Sequence, residues 1–251
     1  MFNPSEFANI ARAEEKLWWF RGMHGISFGL LDPLLRAGHV QRVLEAGCGT
    51  GHFATLLCGR YGLPRVTAVD LAPEAIQHCS GRPGLVPVRA SVSRLPFPDG
   101  AFDLALCLDV LVHFPAGEEG APVAELVRVL RPGGFLLLRA AAFRVFRSRH
   151  SAYVLEQQRF TRPQLKNLAD SLGIRILRLT YANFLLSPVA FLRFRIWEPL
   201  TRQAPATGLE PLPSWLDRLL YTPLALEKQW IAAGGAFPWG QSLVLLGQKP
   251  E

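Results

Sequence analysis

Three glycines at alternate positions, in Ala46-Gly47-Cys48-Gly49-Thr50-Gly51, restrict this chain more than any other feature. They follow an apolar pair, Val43-Leu44, and an acid, Glu45, and they precede His52-Phe53-Ala54-Thr55-Leu56-Leu57, which reads as the opening of a helix. Glycine lets a backbone turn tightly and lets a ligand approach main-chain atoms with no Cβ between them. A strand, a glycine turn and a helix start together leave backbone N–H groups facing a nucleotide-type ligand. The turn therefore predicts a sheet with a ligand at the carboxyl ends of its strands.

The rest of the chain supplies that sheet. Strands are expected at 42–46, 65–70, 85–91, 102–109, 135–141, 175–181 and 242–248. Pro87 marks the third as an edge strand, and the unbroken apolar run of the fourth suits burial on both faces. Helices are expected at 4–21, 26–35, 123–130 and 161–173. Arg131-Pro132-Gly133-Gly134 stops the third helix, while Thr161 caps the fourth and Pro163 sits in its first turn. Alternation of this kind gives an α/β chain, a parallel sheet with helices on both faces.

Residues 183–241 interrupt the alternation. Two apolar segments, 187–200 and 214–232, flank a Pro- and Gly-rich linker at 203–213. If the sixth strand runs parallel to the others, this insertion emerges beside the ligand. It is expected to cap an acceptor pocket, so that its removal abolishes activity and leaves cofactor binding intact. Trp18-Trp19-Phe20 cannot all share one buried face, so one is expected to reach a ligand or lid, with core packing alone as the alternative.

Composition narrows the partners. With 49% hydrophobic and 19% charged residues the chain can bury a large core. A net charge of +7 suits an anionic partner, although the basic residues are scattered. Four cysteines form no CxxC pair, which reads as reduced, buried thiols in a cytoplasmic protein and as no metal site. The Met1-Phe2-Asn3-Pro4 start lacks a signal-peptide pattern, and the apolar run 184–197 is broken by Pro188, Arg193 and Arg195. Contact with a membrane from one side is the most that pattern allows.

Which ligand is meant depends on further segments. The glycines are spaced G-x-G-x-G with Glu45 two residues ahead, and Asp70 ends the second strand. Leu95-Pro96-Phe97-Pro98-Asp99-Gly100-Ala101-Phe102-Asp103 and Leu130-Arg131-Pro132-Gly133-Gly134 follow. Over roughly 42–181 and the last strand, this combination resembles the class I S-adenosylmethionine-dependent methyltransferases. More loosely, it is similar to bacterial small-molecule methyltransferases with a Trp-Trp-Phe-Arg-like first helix and a long late insertion.

The resemblance implies a Rossmann-like, doubly wound seven-stranded sheet with its last strand antiparallel, N-terminal helices and a helical insertion before that strand. Its divisions would be an N-terminal cap at 1–40, a core at 41–183 plus 241–251, and an insertion at 184–240. It implies S-adenosylmethionine as cofactor and S-adenosylhomocysteine as product. Gly47, Cys48, Gly49 and Gly51 would pass the methionine part, Glu45 would organise the loop and the amino group, and Asp70 would hold the ribose. Leu71 and Ala72 would flank the adenine, with Ser91 and Val92 near its amino group. Leu108 and Asp109 would lie beneath the amino-acid end, and Arg21 would pair with the cofactor carboxylate. The family usually has an acid at Ser91, and such relatives often have a second histidine at Glu156.

Methyl transfer from a sulfonium chiefly needs alignment, with a base only if the acceptor must lose a proton. His113, just past the fourth strand, is the first candidate base, followed by His150 and Tyr153. His24 is expected near the pocket mouth. The expected function is in-line transfer to a small apolar or aromatic metabolite at O, N or C, with no nucleic-acid partner. An alternative acceptor is a lipid or polyprenyl-linked molecule at the membrane surface. A non-catalytic cofactor-binding protein is a further alternative.

Overall fold

The computed structural model describes residues 3–202 and 204–251. Met1 and Phe2 of the start pattern and Gln203 of the expected linker lie outside them. Seven strands form one sheet in the order β3-β2-β1-β4-β5-β7-β6. They are β1 (Val43–Ala46), β2 (Val66–Asp70), β3 (Leu85–Arg89), β4 (Phe102–Leu108), β5 (Leu130–Ala141), β6 (Arg175–Ala182) and β7 (Ser242–Gln248). The first five pair in parallel, and β7 runs antiparallel to both β5 and β6. This is the α/β class, with the last strand antiparallel. Because β6 thereby points the same way as β5, its carboxyl end lies on the same side as the glycine turn.

The central strands are buried because both faces are covered. On one face α2 (Trp18–Arg36), α3 (His52–Tyr61) and α10 (Ser214–Ala232) bury Met23, Leu31, Phe53, Leu57, Leu224 and Ile231 against Val43, Leu104, Leu106 and Val244. On the other, α5 (Gly120–Val129) and α7 (Arg162–Ser171) bury Leu126, Val129 and Leu165 against Leu44, Ala105, Leu136 and Leu245. α4 (Pro73–Cys79) joins β2 to β3. Edge strand β3, carrying Pro87, is only partly buried.

Three sequence expectations change. The single helix at 4–21 is two: α1 (Glu6–Ala13) ends and α2 starts at Trp18, with Leu17 extended between them. A carboxylate from far along the chain sets this break, since Asp217 Oδ1 accepts the Trp18 N–H at 2.7 Å. β5 begins at Leu130, not Phe135, because Leu130 pairs with Phe102 before a register shift that the Pro-Gly-Gly segment takes up.

The insertion divides. Its first part is α8 (Ser187–Leu192), a π-helical turn (Arg193–Trp197) and α9 (Glu198–Thr201), which run on continuously. Its second part, α10, packs along α2, and a Cβ on Gly22 would meet Leu224 at 2.3 Å. α10 is therefore core layer and not cap. Removing residues 184–239 would uncap α2 and open the sheet face, so cofactor binding would not survive it.

Candidate functional site

The glycine turn does what its sequence requires. Gly47, Gly49 and Gly51 all have positive φ, between 55° and 78°. A Cβ on Gly47 would lie 2.1 Å from Val110 Cγ2, so only glycine fits there. The N–H groups of Gly47 and Cys48 bond Val69 O at 2.7 and 2.9 Å, which ties the turn to β2. At Gly49, by contrast, the nearest atom to a Cβ is Phe7 Cε1 of α1, at 4.0 Å. α1 therefore lies over the turn.

Asp70, at the carboxyl end of β2, accepts the Gly49 N–H through Oδ2 and the Ala72 N–H through Oδ1, both at 3.0 Å. Each oxygen retains a lone pair for a hydroxyl. Burial pushes the Asp70 carboxyl up, opposed by the Ala72 and Gly49 backbone N–H groups. Leu71 beside it is 62% exposed, an apolar surface next to an acid. Ser91 Oγ accepts the Ser93 N–H at 3.2 Å, and Val92 is buried in the core. The hydroxyl at 91 thus shapes its own turn and keeps its O–H to donate.

Glu45 and Asp109 lie at the carboxyl ends of adjacent strands. Glu45 is buried, and that burial, with Cys79 nearby, pushes its carboxyl up to about 8, against the pull of the Ala54 N–H and Arg139. Asp109 has φ 60° and pairs with Arg139, whose Nη2 lies 2.7 Å from Oδ2. The Arg139 guanidinium sits 5.5 Å over the Trp19 ring. Leu108, just before Asp109, is half-buried.

The sequence reading missed Arg139. Its signal was present: one arginine inside Leu136-Leu137-Leu138-Arg139-Ala140, a strand otherwise apolar. A charge buried there must be paired or must meet a ligand.

Glu45 Oε2 and Arg139 Nη1 are buried and have no hydrogen-bond partner among the described residues. An amino-acid zwitterion needs one acceptor for its ammonium and one donor for its carboxylate. The two orphan atoms supply that pair where the methionine end of S-adenosylmethionine would lie, and Asp70 with Leu71 suits its nucleoside end. The residues present fit the cofactor.

Arg21 does not reach that end. It forms an ion pair with Asp217 of α10 and stacks 4.6 Å over the Tyr221 ring. Arg21 also leaves its buried Nε without a hydrogen bond, but its guanidinium is drawn to Asp217 of α10, whereas Arg139 sits beside Asp109 at the end of β4. His24 is buried against Phe53, with ring centroids 5.0 Å apart, and lines a groove with Glu14, Arg21 and His52. Burial, then Arg139 and His52, holds its imidazole well below the ordinary histidine range.

Cys48 Sγ lies 3.6 Å from Cys79 Sγ, and all four cysteines are free thiols. Among the described residues no cluster of His, Cys, Asp and Glu is arranged to hold a metal ion.

The three candidate proton-transfer residues separate. His113 closes a 3-10 turn (Leu111–His113) just past the carboxyl end of β4, with the Leu155 backbone beside its imidazole, and burial lowers its pKa. His150 and Tyr153 lie on α6 (Arg149–Tyr153) and face α1 instead. His150 Nδ1 is 3.7 Å from Glu6 Oε1, and the Tyr153 hydroxyl is 3.0 Å from Ser5 Oγ. Glu6 is fully buried and also accepts from Asn9 and from Thr207 at 2.7 and 2.6 Å. At its other end α1 is held through Glu14, which accepts from Thr50 in the glycine turn and lies 3.4 Å from Arg82. Burial raises the Glu14 carboxyl pKa. The expected acceptor-facing role of His150 and Tyr153 is replaced by anchoring α1 over the turn. Glu156, where a second histidine was the family habit, is tied to Arg159 at 2.6 Å.

Aromatic side chains gather where β5 and β6 end. Phe143 stacks on Tyr181 at 5.0 Å, Phe184 on Phe237 at 4.9 Å, and Trp239 meets the Phe184 edge at 5.4 Å. Trp239 is 39% exposed, so the cluster has an open rim.

Comparison with known proteins agrees with this geometry. Residues 44–138 match the family model described as a methyltransferase domain. The phthiotriol/phenolphthiotriol dimycocerosates methyltransferase 1 of Mycobacterium ulcerans is 40% identical over 108 residues, covering 40% of this chain and 39% of that protein. The chain spans 22–39% of the length of the first curated relatives it matches. Among solved structures, a complex of the Haloferax volcanii Trm112 methyltransferase activator with a methyltransferase aligns over 100% of this chain and 99% of that one. Its TM-score is 0.62 at 16% identity, a likeness of fold. The Haemonchus contortus phosphoethanolamine N-methyltransferase 2, solved with S-adenosyl-L-methionine, aligns over 84% of this chain and 49% of its own at TM-score 0.54 and 17% identity.

Proposed function

We propose, from the match of residues 44–138 to a methyltransferase domain, that this chain transfers a methyl group from S-adenosylmethionine to an apolar or aromatic acceptor. The observation that carries the reading is the orphan pair, Glu45 Oε2 and Arg139 Nη1, at the ligand edge of the sheet. When bound, S-adenosylmethionine supplies a methyl already activated by its sulfonium. The chain's own work is to hold, orient and exclude water.

Arg139 offers a donor to the carboxylate and Glu45 an acceptor to the ammonium, while Asp70 takes the ribose hydroxyls and Leu71 an adenine face. α1, pinned at Glu6 and Glu14, shields the turn from solvent, which strengthens each of these contacts. Fixed alignment of donor and acceptor contributes on the order of 7–11 kcal/mol in favourable cases. His113 accepts a proton from the acceptor at its imidazole. Its lowered pKa keeps it neutral, and therefore able to do so, at pH 7.

The aromatic cluster at the ends of β5 and β6 supports an apolar acceptor. The Mycobacterium ulcerans relative, named as a methyltransferase of phthiotriol and phenolphthiotriol dimycocerosates, adds to that support. The test uses methyl-labelled S-adenosylmethionine with hydroxylated and amino-bearing aromatic, prenyl and acyl compounds. Label is expected in the organic extract, and not with Gly47→Ala. Label confined to polar, water-soluble acceptors contradicts the apolar assignment.

A further inference from the structure

Helices in a globular chain turn their apolar stripe inward. Residues 187–202 present one outward. Val189, Leu192, Ile196 and Leu200, at intervals of three and four, are 59, 55, 49 and 74% exposed, and Trp197 beside them is 65% exposed. The segment already has its packed side. Ser187 and Ala190 are buried, and Arg195 is stapled to the carbonyl oxygens of Val145 and Arg144 at 2.7 and 2.6 Å. The outward stripe is therefore surplus to the fold.

Charge says what covers it. The stapled turn and this helical segment together hold Arg144, Arg147, Arg149, Arg193, Arg195 and Arg202 against a single acid, Glu198. Of these, Arg144, Arg147, Arg193, Arg195 and Arg202 are exposed, and Arg147 and Arg195 already bond neighbouring backbone carbonyls. A second copy of the chain, docked by two-fold symmetry, would set this arginine rim against itself. A bilayer with anionic headgroups instead neutralises the arginines and takes up the apolar residues in the same act. Among the described residues no helix is long and apolar enough to cross a membrane, so the attachment is to one leaflet.

We propose that the exposed face of 187–202, with the 144–149 segment, docks this protein on an anionic lipid bilayer. Since the segment leaves the carboxyl end of β6, docking turns the ligand edge of the sheet, and its aromatic rim, toward the lipid. The proposal goes beyond the acceptor reading and survives its failure, because it concerns where the protein sits and not what it methylates.

The test is co-sedimentation of the full chain with phosphatidylcholine vesicles, with and without phosphatidylglycerol. Binding is expected only with phosphatidylglycerol and is expected to weaken with salt. Trp197→Ser with Leu200→Ser, and separately Arg144→Gln with Arg193→Gln, are each expected to lower partitioning about tenfold or more. Arg65→Gln with Arg175→Gln removes the same charge elsewhere and is expected to change it less than about threefold.

S-adenosylhomocysteine binding, measured on the same samples, reports that each variant is folded. For the wild-type chain, quenching of tryptophan fluorescence by brominated acyl chains reads insertion without any variant, and Trp197→Phe is expected to reduce it. The proposal is overturned by absence of sedimentation, by equal binding to both vesicle types, or by equal loss in the Arg65/Arg175 control. It is also overturned by a wild-type dimer that Leu200→Ser dissolves. Vesicle binding without methyl transfer would sink the acceptor reading alone.

Discussion

The glycine turn and the late insertion lie on the same edge of the sheet and are built on opposite plans. Around the turn, function rests on buried things: positive-φ glycines, the Asp109–Arg139 pair and the inaccessible carboxyl of Glu45. In 187–202 it rests on exposed things, an apolar stripe and a rim of arginines. The first arrangement tolerates little change, because a Cβ on Gly47 or Gly51 would meet Val110 or Cys79 at 2.1 or 2.7 Å. The second tolerates much, because solvent is its neighbour.

That contrast breaks first, if it breaks, at Gly47. Alanine there puts a Cβ against Val110 at φ 78°, which is predicted to lower S-adenosylhomocysteine affinity by more than about a hundredfold and stability by about 2–4 kcal/mol. Titration calorimetry and denaturant unfolding check both.

Next comes His113→Ala, predicted to lower turnover about a hundredfold while leaving cofactor affinity within about twofold. Unaltered turnover would leave Asp109 and the backbone as the groups nearest the acceptor.

The pH dependence of cofactor binding sharpens the same comparison. Glu45 without ligand titrates at about 8, and a bound ammonium favours its ionised form. Below pH 8 the carboxyl must therefore lose a proton on binding while the ligand ammonium keeps its own, so affinity is predicted to rise about tenfold from pH 6 to pH 7. Glu45→Gln is predicted to bind more weakly and to flatten that slope. For folding the sign reverses. The raised Glu45 pKa favours the folded state at low pH, and this contribution is lost as pH rises from 4.5 through about 8.

The smallest effect belongs to the insertion. Trp197→Ser and Leu200→Ser are predicted to shift stability by less than about 0.5 kcal/mol, since both are exposed. A larger loss would mean that the stripe is packed and not free.

The same difference explains how far the sequence could be read. Strand positions, the edge placement of β3 at Pro87 and the ligand turn follow from local rules: period, proline and glycine. The break before Trp18 does not, because the cap is Asp217, 199 residues away. The ion pair of Arg21 is hidden for the same reason, its partner Asp217 lying on α10. Arg139 was legible as a charge in an apolar strand, yet an absent ligand gave no reason to look there. Order along the chain puts His150 and Tyr153 just after β5. Only the packing of α1 could reveal that Glu6 and Ser5 take them first. For 214–232, an apolar helix in a long connection reads equally as cap or core, and contact with α2 decides for core.

The most direct measurement is calorimetric titration of the purified chain with S-adenosylhomocysteine at two pH values and in buffers of different ionisation enthalpy. One site is expected, tighter at pH 7 than at pH 6, with close to one proton released per ligand bound at pH 7 and none for Glu45→Gln. Binding with no proton release, or no heat at all, would contradict the claim that Glu45 and Arg139 receive the amino-acid end.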